Sequence, residues 1–133
     1  MASVAKAHAA CKALPGATYD VKWGKDECYS VGGKMFAVIG PGGTYGGPRA
    51  AAWSIGFKVD DYRFLELTDR EGIIPAPYMA KHKWVLVRDP RKVGDAELKE
   101  LIARSHALIL SKLPKKLQAK LDPGPSAQLR RPG

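Results

Sequence analysis

The sequence has only two cysteines, Cys11 and Cys28, and they lack the spacing of a metal-binding or redox pair. A disulfide framework and a zinc ribbon are therefore excluded, and both thiols are expected to be reduced and buried. Long apolar runs are also lacking, since the longest, 35–39 and 84–87, have the length of a strand. A membrane span needs about 20 apolar residues. The N-terminus has no charged segment followed by an apolar one, so we expect a cytoplasmic protein without membrane contact.

Acidic residues are scarce. The 133 residues contain 13 Asp and Glu against 22 Lys and Arg, which gives a net charge of +9. The segment 28–58 contains no acidic residue, and the segment 103–133 carries seven basic residues and one acidic residue. Because the excess is concentrated in segments, the charge favours a polyanionic partner such as DNA over an evenly solvated surface.

Signatures of catalysis are missing as well. The sequence has no catalytic triad pattern, no HExxH motif and no paired carboxylates at a motif spacing. The glycine-rich segment 40–48 is not followed by Gly-Lys-Ser/Thr or by a helix, as a phosphate-binding loop would be. His8 and Cys11 lie one helical turn apart, but we expect Cys11 to pack in the core and not to bind a metal. We therefore predict a non-enzymatic protein without cofactor or metal.

The first third of the chain predicts a helix followed by a hairpin. Apolar residues recur at helical spacing over 3–14, with Ser3 as the N-cap, and a Pro-Gly pair ends this helix. Residues compatible with β-structure flank Gly32 and Gly33 over 28–39. Two consecutive glycines can both adopt a positive φ, as a tight hairpin turn requires.

The middle of the chain predicts a loop, a strand and a short helix. The composition of 40–48 excludes a regular element and predicts a mobile loop. Alternation of apolar and other residues over 53–59 predicts a strand with one buried and one open face. Asp60 or Asp61 is expected to cap a helix that ends before Gly72. This helix is expected to bury its apolar residues Tyr62, Phe64 and Leu65.

The last half predicts an extended segment, a strand and a long helix. Prolines make 73–78 extended, and 84–88 is a largely buried strand. Asp95 is expected to cap a helix that ends before Pro114. Its apolar stripe consists of Leu98, Leu101, Ile102, Ser105, Leu108, Ile109 and Leu113. Its outward residues are expected to be Lys99, Glu100, Arg104 and His106.

This order of elements predicts an α+β fold, in which the N- and C-terminal helices cover one side of an antiparallel sheet. We find no internal repeat. Residues 1–117 are expected to form one domain, and 118–133 a basic tail that contains Pro and Gly and is disordered.

Two groups of residues fit binding of nucleic acid. Lys81, His82, Lys83 and Trp84 follow the extended segment with Tyr78, so cations alternate with aromatic rings as phosphate contact and base stacking require. The alternative is that Trp84 is a core residue and the lysines are merely solvated.

A second group lies at the two turns. Its members are Lys34, beside the Gly-Gly pair, and Tyr45 and Arg49, which flank the glycine-rich loop. They could enter a groove or contact a phosphate backbone, and the alternative is that they are solvated turn residues.

Several short motifs resemble the MmcQ/YjbR family. They are Trp23-Gly24, the VGGKMFA motif at 31–37, Phe57-Lys58-Val59, the stretch 76–85 with Lys-His-Lys-Trp, and the segment 105–116 that ends in KLPKK. The resemblance implies a frataxin-like (CyaY-like) fold with hairpin wings, described as a double wing, and DNA binding. The family motifs match Lys34, Lys58, Lys81, His82 and Trp84 here. The glycine-rich loop and the basic tail depart from shorter relatives.

The expected function is that of a monomeric DNA-binding domain that contacts mainly phosphates. Low sequence specificity is expected because the outward face of the last long helix carries no Asn or Gln for base readout. The alternative is a small module that binds a protein or an anionic ligand. A continuous patch of Lys34, Lys58, Lys81 and Lys83 would favour DNA, and a deep apolar pocket beside His82 would favour a ligand.

Overall fold

A computed structural model describes residues 2–43 and 51–121. The helices in these ranges are α1 (Val4–Lys12), α2 (Asp61–Thr68), α3 (Asp95–Leu110) and α4 (Lys115–Leu121). The strands are β1 (Thr18–Lys22), β2 (Asp26–Val31), β3 (Lys34–Pro41), β4 (Trp53–Lys58), β5 (Ile73–Pro75) and β6 (Trp84–Val87). Short 3₁₀ turns precede β6 and α3. No helix in the described ranges is both long enough and apolar enough to cross a membrane.

The six strands form one antiparallel sheet in the order β1-β2-β3-β4-β6-β5. Helices α1 and α3 pack on each other, and α3 packs on β3 and β4. The predicted α+β class is therefore confirmed, as is the hairpin around Gly32 and Gly33. Strand β1 was not predicted, although Tyr19 and Val21 alternate with polar residues over its five positions; both of these side chains remain exposed.

The sheet buries apolar side chains on both faces. The main core, beneath the helices, includes Tyr29, Phe36, Ile55, Phe57, Leu67, Val85 and Ile102. A second cluster consists of Ala76, Trp84 and Leu86, with Met35, Val38, Ile74 and Met79 packed against them. The expectation that one face of the 53–59 strand is open was wrong, since Ser54 and Gly56 are buried. Strand β6 pairs with β4 and places Trp84 and Leu86 close to Gly56.

The orientation of α2 also differs from the expectation. Tyr62 and Leu65 are 81% and 78% exposed, whereas Leu67 is fully buried and Phe64 is half-buried. Both pairs of residues have a spacing of three, so helical periodicity alone is compatible with either face. Packing of α2 against β5 and β6 decides which one is buried.

Two expectations for α3 were wrong. Gly94 occupies the N-cap position, and the Asp95 carboxylate instead accepts the backbone N–H of Ser3 at 2.7 Å, which ties the start of α3 to the start of α1. His106 is buried and not outward. Its Nε2 donates to the Pro15 carbonyl at 2.7 Å, and its ring meets Phe36 edge-on.

Other local features agree with the sequence. The Ser3 hydroxyl accepts the backbone N–H of Lys6 and caps α1. Cys11 and Cys28 are free and buried, and burial raises the pKa of the Cys11 thiol to about 12.

The predicted domain boundary between 117 and 118 lies inside α4. Leu117 and Leu121 of this helix pack against the main core. Residues 122–133 and the loop residues 44–48 lie outside the described residues.

The turn between β2 and β3 gives a stability prediction. Gly32 and Gly33 both have positive φ, but a Cβ on Gly32 would lie 2.5 Å from Leu113 Cδ1, whereas a Cβ on Gly33 would meet nothing within 4 Å. Gly33→Ala is expected to cost about 1 kcal/mol, the penalty of the left-handed conformation. Gly32→Ala should cost about 1 to 3 kcal/mol more, because it also overpacks the core. Urea denaturation measures both costs, and equal costs would contradict the steric explanation.

Candidate functional site

A concavity of about 480 Å³ lies beside the second apolar cluster. We call it the basic pocket. It is lined by Lys22, Gly33, Lys34, Met35, Lys58, Met79, His82, Trp84, Ile109 and Lys112. Four lysines and a histidine thus surround apolar side chains. Among the described residues that line the pocket, none is acidic.

The lysines reach the pocket because they stand at the ends of elements. Lys22 is the last residue of β1, Lys34 is the first residue of β3, and Lys58 is the last residue of β4. Lys112 follows the end of α3. In the sheet, Lys58 is paired with Trp84, so the end of β4 lies directly beside the start of β6. The pocket is therefore assembled from segments far apart in the sequence.

Lys58 is held in place by both its backbone and its side chain. Its ammonium group donates to the His82 carbonyl at 2.5 Å, and its backbone N–H donates to the Ser105 hydroxyl at 3.0 Å. Burial, and then the nearby charges of Lys112 and Lys83, lower the pKa of Lys58, while Asp61 and Asp60 act in the opposite direction. The arrangement places the hydrogen-bonded cation of Lys58 beside the exposed side chains of Lys34 and Lys112.

Four of the sequence-predicted site residues come together in the pocket: Lys34, Lys58, His82 and Trp84. Trp84 is only 5% exposed, so most of its ring belongs to the packed cluster. Lys34 and His82 are exposed.

The other predicted site residues lie elsewhere. Lys83 has a positive φ, and its ammonium lies 5.3 Å from the centre of the Phe64 ring on α2. Lys81 is exposed on the 3₁₀ turn and does not line the pocket. Tyr78 is exposed on the preceding turn. Tyr45 and Arg49 lie outside the described residues. Only two of the four lysines named for a continuous patch therefore share one site.

Sequence reasoning missed Lys22, Lys112 and Trp23. Lys22 belongs to the strand that was not predicted, and Lys112 was counted only as part of the basic C-terminal segment. Trp23 appeared only as part of a family motif, yet it is 70% exposed in the β1–β2 turn and has a positive φ. An exposed tryptophan in this conformation is uncommon and cannot be read from the local sequence.

Another concavity lies between α1 and α3. It is lined mainly by Ala7, Ala9, Ala10, Ala13, Ala96 and Leu98. Its charged residues partly neutralise one another, since the Lys6 ammonium lies 3.6 Å from the Asp95 carboxylate. With Lys99 it is lined by two lysines and one carboxylate, whereas the described residues that line the basic pocket include four lysines and no carboxylate.

Fold and site define a small α+β domain with a basic pocket on an antiparallel sheet. The family model named YjbR matches residues 12–108, which is most of the chain. The chain therefore belongs to the YjbR family, and the predicted family resemblance is confirmed. Among curated proteins, no match to this chain was found.

Solved structures show the same fold. A crystal structure of a Deinococcus radiodurans protein with a DUF419 domain is similar, with a TM-score of 0.75 and 23% identity, over 91% of this chain and 88% of that chain. A crystal structure of a Pseudomonas syringae protein is similar, with a TM-score of 0.57 and 22% identity, over 70% of this chain and 86% of that chain. At these identities the similarity establishes the fold and leaves the function to the site.

Proposed function

We propose that this protein is a non-enzymatic DNA-binding domain, which acts as a cytoplasmic monomer and contacts mainly the phosphate backbone through the basic pocket. The observation that carries the proposal is the convergence of Lys22, Lys34, Lys58 and Lys112 with His82 in one pocket. Lysines that share a concave surface raise the local positive potential and attract a polyanion. The net charge of +9 also attracts a polyanion, and it does so at longer range.

The composition of the pocket supports low sequence specificity. Base edges are read mainly by Arg, Asn and Gln, and the described residues that line the pocket include none of these. A lysine that contacts a phosphate acts as a point charge, and such a contact carries no information on the base sequence. In this proposal the β2–β3 hairpin, whose turn precedes Lys34, serves as one wing of a double-wing arrangement.

A small anionic ligand is the second candidate, because a pocket with apolar side chains does lie beside His82, whereas only Lys34 and Lys58 of the four patch lysines line it. The volume of about 480 Å³ and the apolar side chains of Met35, Met79 and Ile109 are typical of a small-molecule site. The fixed ammonium of Lys58 would then orient a phosphate or carboxylate group. A ligand of this kind would compete with DNA for the same lysines.

The test compares two double variants that remove the same charge. Lys34 and Lys112 line the pocket, whereas Lys12 on α1 and Lys99 near the start of α3 do not, and all four are exposed. At about 50 mM salt, K34A/K112A is expected to weaken binding of a random DNA duplex by about tenfold and to lower the salt slope by about one to two units. K12A/K99A should leave the slope nearly unchanged.

Fluorescence anisotropy at about 50 and 200 mM salt measures both quantities. Heparin is included as a polyanion without bases. The DNA proposal is contradicted if wild-type protein binds no DNA at the lower salt, or if the two variants lose affinity equally. Two results together would favour the small-anion candidate. Inorganic polyphosphate would displace DNA, and DNA of several sequences would bind no more tightly than heparin.

A further inference from the structure

We propose that the DNA bound at the basic pocket is single-stranded and that its bases stack on Trp23 and Tyr78. This inference rests on the proposed function and narrows it to one form of DNA. It is carried by two exposed aromatic side chains that packing does not explain.

Trp23 and Tyr78 are both on turns and are 70% and 92% exposed. Both also adopt a positive φ, of 51° and 66°, which is costly for a side chain with a Cβ and which bulky residues seldom adopt. A turn of this shape is normally occupied by Gly or Asn. Retaining a large ring there sacrifices backbone stability without burying apolar surface, and such local strain is often found at functional sites.

Each ring is adjacent in sequence to the basic pocket. Trp23 follows Lys22, and Tyr78 precedes Met79, and both of these neighbours line the pocket. Lys22 lies on β1, and Met79 leads through the 3₁₀ turn into β6. The two aromatic residues are therefore positioned on either side of the lysines.

The sheet order sets the span between the two sides. Strands β1 and β6 are separated by four inter-strand spacings, which at about 4.8 Å each amount to roughly 19 Å. The register also places Lys22 one position beyond the level of Val87, four residues along β6 from Trp84, which adds roughly 13 Å along the strands. A strand of DNA with a spacing of about 3.4 Å per stacked nucleotide covers the resulting span of roughly 23 Å with about seven nucleotides. That length is within the range that single-strand binding domains occupy.

Stacking requires a base whose face is free. In a duplex the faces of the bases are covered by their neighbours, whereas a single strand can place successive bases on protein aromatic rings. At the Trp23 end, moreover, Asp20 and Asp26 on the flanking strands balance the charges of Lys22 and of Lys25 in the turn. Contact at that end therefore depends on the ring more than on phosphate attraction.

The test uses an oligothymidylate of about 12 nucleotides and a duplex of equal length. Trp23→Ala and Tyr78→Ala are each expected to weaken binding of the single strand by about 5- to 100-fold, and to change duplex binding by less than about twofold. Trp23→Phe and Tyr78→Phe retain a ring and should recover most of the affinity. Tyr62→Ala is the matched control, because it removes an equally exposed ring from α2.

The outcomes separate this inference from the proposed function. If the alanine variants bind the single strand as wild type does, while K34A/K112A still weakens DNA binding, the stacking inference is overturned and the DNA-binding proposal stands. Tighter binding of the duplex than of the single strand would also overturn the stacking inference and leave the DNA-binding proposal in place. If neither form of DNA binds at about 50 mM salt, both proposals fail. Circular dichroism confirms that each variant is folded.

Discussion

Trp84→Ala is expected to lower the free energy of unfolding by about 3 to 5 kcal/mol. The ring is nearly fully buried and lies at the centre of the second apolar cluster, where its Cε3 would lie 3.9 Å from a Cβ placed on Gly56. Its backbone is equally engaged, since its carbonyl accepts the N–H of Ala76 and its N–H donates to Met79. Removing the indole leaves a cavity between β4, β6 and the segment that leads into β6.

Two further variants define this prediction. Trp84→Phe keeps an aromatic ring in the cluster and should cost less than half as much. Trp23→Ala removes an exposed tryptophan and should change stability by less than about 0.5 kcal/mol. Urea denaturation followed by circular dichroism gives all three values. A loss below about 1 kcal/mol for Trp84→Ala would show that the second cluster does not stabilise the fold.

The expected loss of stability also affects how a loss of DNA binding in Trp84→Ala is interpreted. The family resemblance makes Trp84 a candidate contact for DNA, but the residue forms the base of the pocket. A loss of affinity in Trp84→Ala would reflect displacement of Met35 and Met79 as much as a lost contact. The exposed residues Lys34 and Lys112 are better probes of binding.

Ser105→Ala is expected to lower the free energy of unfolding by about 2 to 4 kcal/mol. Ser105 is fully buried on α3, and its hydroxyl donates to the Phe36 carbonyl at 2.6 Å while accepting the Lys58 N–H at 3.0 Å. One side chain thus satisfies backbone groups of both β3 and β4. Alanine leaves both groups without their partner, and an unpaired buried polar group costs about 1 to 3 kcal/mol.

Ser111→Ala is the matched control in the same part of the chain. The Ser111 hydroxyl is exposed and donates to the Leu108 carbonyl at 2.8 Å, and water can donate to this carbonyl in its place. Its removal should cost less than about 0.5 kcal/mol. If the two variants have the same free energy of unfolding, the hydrogen bonds of Ser105 make no net contribution to stability. Because Ser105 also fixes the backbone of Lys58, we expect Ser105→Ala to weaken DNA binding, although less than K34A/K112A does.

The sequence predicted the elements whose signals are local. The Gly32-Gly33 pair indicates its hairpin, since two successive positive φ angles favour glycine. The 3.6-residue apolar period of α3 and the alternation of apolar and other residues in β4 likewise depend on side chains close together in the chain. The short motifs around these elements also carried the family resemblance, which the match over 12–108 confirms.

The tertiary structure alone decided which faces are buried and which residues share a site. His106 faces inward because Pro15, far away in sequence, supplies a carbonyl for its ring nitrogen, and α2 buries Leu67 and not Tyr62 because of its packing on β5 and β6. Lys22 and Lys112 join Lys34 and Lys58 only through the strand order and the path of α3. The local spacing of apolar residues indicates whether a segment forms a helix or a strand. The rotation of each element and its neighbours in the sheet arise from long-range packing, and so the basic pocket is a property of the folded chain.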